Sequence, residues 1–84
     1  MVLISIKKNK NGETALHKTA YYNSKELAEF LISHGAIINE KDKKGRTALY
    51  IAAFNNSKET AEFLISHGAN INEKNNNGET ALVN

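Results

Sequence analysis

A chain of 84 residues holds one small domain, which buries only about two thirds of its unfolded surface and so has a thin margin of stability. It has no cysteine; this excludes disulfide and thiolate-metal staples and argues for a reducing compartment, the cytoplasm. The formal charge of +2 comes from 11 basic and 9 acidic residues spread along the chain, without the polarised excess of a polyanion binder.

The opening residues, Val2, Leu3, Ile4 and Ile6 followed by Lys7, Lys8 and Lys10, reverse the charge order of a signal peptide and are too few to span a bilayer. They are expected to form an irregular N-terminal cap over residues 1–6, its apolar side chains covering the first helix pair.

From Asn11 the pattern is regular. Asn11-Gly12 is a tight-turn signal, and Thr14 is a natural N-cap for a short helix carrying Ala15, Leu16, Thr19 and Ala20. Small and apolar residues at that spacing let a helix approach neighbours closely, as in a stack. Asn23 tolerates the left-handed conformation that ends a helix, and Ser24 is expected to cap the next one with its hydroxyl. That second helix, about Lys25 to Ser33, is expected to turn Leu27, Ala28, Phe30, Leu31 and Ile32 inward or between units and to leave Lys25, Glu26 and Glu29 wet. Gly35 ends it.

The same pattern returns after 33 residues. Thr47 opens a helix running to Phe54, Asn56-Ser57 makes the turn, and a helix from Lys58 to Ser66 closes the unit at Gly68. The one apolar position lost from this helix is Thr60, which stands where Leu27 stood. Residues 36–45 and 69–78 are too polar for helix, with Ile38 and Ile71 as isolated anchors, and read as projecting hairpin-like loops.

The elements GxTALHxxA, SKELAEFLISHGAxIN and the 33-residue period resemble the ankyrin repeat, whose signature contains T-P-L-H-x-A. The resemblance covers most of the chain. It implies an all-α fold: a solenoid of stacked antiparallel helix pairs with loops projecting at right angles. The units are then 7–39, 40–72 and a shortened third at 73–84, all one domain. Ala15, Ala48 and Ala81 occupy the family's proline position, giving up some pre-organisation but keeping a good helix former. The family's histidine is present as His17 and replaced by Tyr50 and Val83, so its hydrogen bonds to the loop are in question in the second and third units.

No constellation for catalysis stands out. His34 and His67 precede the closing glycines, where a hydrogen-bonding or cationic ring suits a helix C-terminus, and their expected separation of about 8 to 10 Å, the spacing of packed helices, is too great for one zinc ion. His17 reads as structural, and Ser24, Ser33, Ser57 and Ser66 fall at helix ends. The glycines are isolated, with no phosphate-binding loop. The chain is therefore expected to be no enzyme and to need no metal or cofactor. Lys41, Lys43, Lys44 and Arg46, with Lys8 and Lys10 in the preceding loop, form a basic cluster. A solvated loop tip, an acidic partner and, least favoured, nucleic acid are the readings open to it.

In the family, the end of each first helix and the loop tips face a concave groove that makes most partner contacts. Carried over by position, the resemblance implies Lys10, Asn11, Glu13, Tyr21 and Tyr22 in the first unit and Lys43, Lys44, Arg46, Phe54 and Asn55 in the second. Aromatic and arginine side chains dominate interface energetics. Those positions differ between the units, Tyr21 against Phe54, Tyr22 against Asn55 and Glu13 against Arg46, which points to a partner rather than to a purely structural role. The function expected is a non-enzymatic protein-binding scaffold, soluble and not membrane-bound. A stretch of longer solenoid with no partner of its own and a basic-loop polyanion binder are the alternatives. A third unit without a second helix is further expected to leave Leu49, Ile51, Phe63 and Leu64 uncovered, and the chain either to self-associate through that C-terminal face or to be only marginally folded.

Overall fold

The computed structural model describes residues 7–81. Within them lie four helices, α1 Ala15–Tyr22, α2 Lys25–Ser33, α3 Ala48–Phe54 and α4 Lys58–Ser66, and no strand. The pairs α1/α2 and α3/α4 pack against each other, α1 on α3 and α2 on α4, so two antiparallel hairpins form a stack. The expectations on residues 1–6 and on Val83 lie outside the described residues.

Local chemistry sets the helix starts. Thr14 Oγ1 accepts the His17 N–H at 3.4 Å, and His17 Nδ1 accepts the Thr14 N–H at 3.0 Å, a reciprocal capping box. Since Nδ1 accepts, the His17 proton lies on Nε2, which donates to the Arg46 carbonyl at 2.8 Å. One buried ring thus caps its own helix and ties the next loop to it. Thr47 keeps half of this box, accepting the Tyr50 N–H at 3.2 Å.

Ser24 and Ser57 do not cap as expected: neither makes a side-chain cap bond. Ser57 Oγ instead donates to the Ala20 carbonyl at 2.7 Å, fastening the second unit to the first. The cap for α4 comes from the neighbouring unit. Asn23, left-handed at φ 53, turns its amide oxygen onto the Thr60 N–H at 3.2 Å and the Thr60 hydroxyl at 2.9 Å. Ser57 is freed for a contact between units because Asn23 of the first unit has taken the capping role.

The core runs between the hairpins: Leu16, Ala20, Ala28, Leu31, Ala48, Leu49, Ile51, Ala52, Phe63 and Leu64 are buried. Thr60 is fully buried and Phe63 is 5% exposed, whereas their equivalents Leu27 and Phe30 are 51% and 54% exposed. This corrects the expectation that Leu27 and Phe30 pack inward or between units. Their positions point to the unit before, so the second unit buries them against the first and the first does not. Full burial of a side chain such as Phe63 contributes about 1.5–3 kcal/mol. Leu49, Ile51, Phe63 and Leu64 are buried too, not uncovered as expected, because they face the first unit and the core rather than the C-terminal face. Ile65 is the large exposed apolar residue on α4.

Candidate functional site

The three loops share one device. Asn9 Oδ1 accepts the N–H groups of Asn11 and Glu13 at 2.9 and 3.0 Å, Asp42 Oδ1 those of Lys44 and Arg46 at 2.9 and 2.8 Å, and Asn75 Oδ1 those of Asn77 and Glu79, both at 2.9 Å. The rest of each side chain selects its partner four residues on. The Asn9 and Asn75 amides donate to the carboxylates of Glu13 and Glu79, each at 2.9 Å, while the Asp42 carboxylate accepts Arg46 Nε at 2.8 Å. An amide pairs with glutamate and a carboxylate with arginine. This accounts for the change from Glu13 to Arg46, which in the sequence resembles diversification toward a partner.

Successive loops are also joined to each other. The Lys43 N–H donates to the Asn11 carbonyl at 3.1 Å and the Asn76 N–H to the Lys44 carbonyl at 2.9 Å. Lys8 pairs with Glu40, and Lys41 with Glu73 at 3.0 Å. The basic cluster is thereby partly neutralised, and Arg46 is committed to Asp42. Among the described residues Lys10, Lys43 and Lys44 form no ion pair and stand exposed.

The sequence-predicted residues separate into two groups. Lys10, Asn11, Tyr22, Lys43, Lys44, Phe54 and Asn55 are exposed; Tyr22 reaches 75% and Phe54 68%. Tyr21 and Arg46 are half-buried, and Glu13 is buried at 6% exposure. The Arg46 guanidinium lies 3.3 Å from the Tyr21 hydroxyl and 3.8 Å from the Glu13 carboxylate, which Lys18 approaches at 3.3 Å. The Asn9 hydrogen bond, helped by Lys18 and opposed by burial, holds Glu13 below the usual carboxylate range. These buried and half-buried polar groups form a floor beside the exposed residues.

Beside this floor a groove of about 550 Å³ is lined by Lys44, Arg46, Tyr50, Phe54, Asn76 and Glu79, among others. Tyr50 and Phe54 stack at 6.2 Å with planes 9° apart, and the Tyr50 hydroxyl donates to Glu79 Oε1 at 3.3 Å. Burial, then the Glu79 charge, pushes the Tyr50 hydroxyl above the ordinary tyrosine range. Tyr50 answers the question left by the missing histidine: its hydroxyl bonds the Glu79 side chain, where the His17 ring bonds a loop carbonyl. The sequence reading missed it as a groove residue, although its spacing of four from Phe54 was the signal.

The family model described as ankyrin repeats (3 copies) matches residues 2–75. The chain belongs to the ankyrin repeat family. Ankyrin repeats are generally protein–protein interaction modules and typically carry no enzymatic activity. A search of curated proteins gave no significant match. No helix among the described residues is long and apolar enough to cross a membrane.

Proposed function

We propose that this ankyrin stack is a non-enzymatic scaffold that binds a partner protein along the surface bearing Tyr22, Phe54 and the loop tips. The observation that carries this reading is Phe54, two-thirds exposed yet held in place by stacking on Tyr50. A fixed, exposed aromatic ring offers large contact area at little entropic cost. Lys44 lines the groove and Lys43 precedes it in the chain, and neither forms an ion pair among the described residues, so an apolar anchor followed by acidic residues is the partner segment that fits. The absence of cysteine supports a cytoplasmic setting. Affinity capture from source-cell lysate with the wild-type chain, with Tyr22→Ala/Phe54→Ala and with Glu29→Ala/Glu62→Ala tests this. The reading expects one protein lost with the first variant and kept with the second.

A second reading, a segment within a longer stack, is favoured by Leu27 and Phe30, whose equivalents in the second unit are covered by a neighbouring unit. The two are compatible, since a stack can bind along its groove while continuing at its ends. Polyanion binding gains less support, because Lys8, Lys41 and Arg46 already face carboxylates. Self-association would find Ile65 on the C-terminal face and Leu27 and Phe30 on the other. The two do not match well: Asn56, the equivalent of Asn23, would meet the apolar Leu27 where Asn23 meets Thr60.

A further inference from the structure

The sequence Asn-Gly-Glu-Thr-Ala-Leu occurs twice, at 11–16 and at 77–82, and the fold gives the two copies different surroundings. Asparagine before glycine is the pair most open to spontaneous deamidation, because glycine has no Cβ to block its own nitrogen. The Gly amide nitrogen attacks the Asn side-chain carbon, ammonia leaves, and a five-membered imide forms. Water then opens either imide carbonyl to give aspartate or isoaspartate. The step needs the Asn–Gly peptide to rotate out of its turn.

At Asn11-Gly12 the next loop opposes that rotation. The Asn11 carbonyl accepts the Lys43 N–H at 3.1 Å, and a Cβ built on Gly12 would lie 2.8 Å from the Lys43 nitrogen. At Asn77-Gly78 the internal bond of the turn is equivalent, Gly78 N–H to Asn75 O at 3.0 Å against Gly12 N–H to Asn9 O at 2.9 Å. Yet nothing among the described residues comes within 4 Å of a Cβ built on Gly78. Asn77 is exposed and lines the groove with Lys44.

We propose that Asn77 is a site of spontaneous modification in the 84-residue chain, deamidating through Gly78 and placing a carboxylate on the groove wall beside Lys44, while Asn11 is protected by the second loop. The inference does not depend on the binding reading. It rests on two matched motifs, one of them covered and clamped by the second loop and the other exposed.

The test is peptide mapping by mass spectrometry after incubation at mildly alkaline pH, with parallel samples under native conditions and in urea. Circular dichroism on the native sample verifies that the helices persist. What decides is each site's native rate divided by its own rate in urea, which removes differences in intrinsic chemistry. That ratio is expected to be about three- to tenfold higher at Asn77 than at Asn11, the factor one hydrogen bond makes in a local opening equilibrium. Lys44→Asn creates a third Asn-Gly pair in the second loop. Its carbonyl would accept the Asn76 N–H, as that of Lys44 does at 2.9 Å, so it should be as protected as Asn11. Equal ratios at Asn11 and Asn77, a higher ratio at Asn11, or a new site at 44 as fast as Asn77 would overturn the proposal.

Discussion

The amide oxygen of Asn23 caps a helix to which it does not belong, accepting both the backbone N–H and the hydroxyl of Thr60 in the next unit, while its nitrogen donates to Glu59 at 2.8 Å. Helix start and unit stacking are therefore one interaction. Asn23→Gly keeps the left-handed turn accessible and leaves the buried Thr60 groups without partners. It should cost about 1–3 kcal/mol, the penalty for unsatisfied buried polar groups. Asn56, left-handed at φ 60, makes no such side-chain bond among the described residues, so Asn56→Gly should be nearly neutral. Urea denaturation followed by circular dichroism distinguishes them, and equal losses would show that the asparagine matters only for its backbone.

Acid should weaken the stack through its carboxylates. Glu13 is held below its ordinary pKa first by Asn9, Glu59 first by Asn23 and Glu73 by Lys41. A carboxylate whose folded pKa is depressed contributes stability above its unfolded value, and that contribution is lost as pH falls through the folded one. Melting temperature should therefore drop below the normal carboxylate range of about pH 4. Glu13→Gln should be less stable than wild type at neutral pH and converge with it in acid. A constant difference across that range would place the effect of Glu13 outside its ionisation.

Tyr50 has the opposite sign. Its folded pKa is raised, so its contribution is complete below the ordinary tyrosine value of about 10 and is lost as pH rises through the folded value. Ultraviolet titration should show a late-ionising component that is absent in Tyr50→Phe. Tyr50→His should restore what His17 does in the first unit, bonding the Thr47 N–H and the Glu79 carbonyl. Two hydrogen bonds gained, of about 0.5–1.5 kcal/mol each, offset the loss of the Tyr50–Glu79 hydrogen bond and of about 0.5–1.5 kcal/mol of stacking on Phe54, so stability should change by less than about 1 kcal/mol. A loss or gain of more than about 2 kcal/mol for Tyr50→His would contradict that arithmetic.

Much of this structure was legible in the chain. Thr14 and Thr47 as caps, Asn23 as the left-handed helix end and the limits of α2 and α4 follow from local rules, and those rules act within a few residues. What local rules could not show is what each position faces. Phe30 and Phe63 hold the same place in the helical pattern, but burial depends on which side the neighbouring unit lies. Ser24 and Ser57 look like caps until Asn23 is seen reaching across from the previous unit. Glu13 and Arg46 suggested partner-driven variation, although pairing them with Asn9 and Asp42 four residues earlier would have revealed the loop locks. The groove residue Tyr50 was overlooked because it occupies a structural histidine's position.

The central claim is that partner binding resides on the exposed aromatic groove and loop tips. The most direct measurement is isothermal titration of the captured partner protein against wild type, Tyr22→Ala/Phe54→Ala and Glu29→Ala/Glu62→Ala, each first shown by circular dichroism to be folded. The account predicts that the aromatic pair weakens binding by about 30-fold or more, corresponding to about 2 kcal/mol, the threshold for a hot spot. The glutamate pair on the outer helices should change it by less than about threefold. Equal weakening by both pairs, or full affinity without Tyr22 and Phe54, would contradict the account.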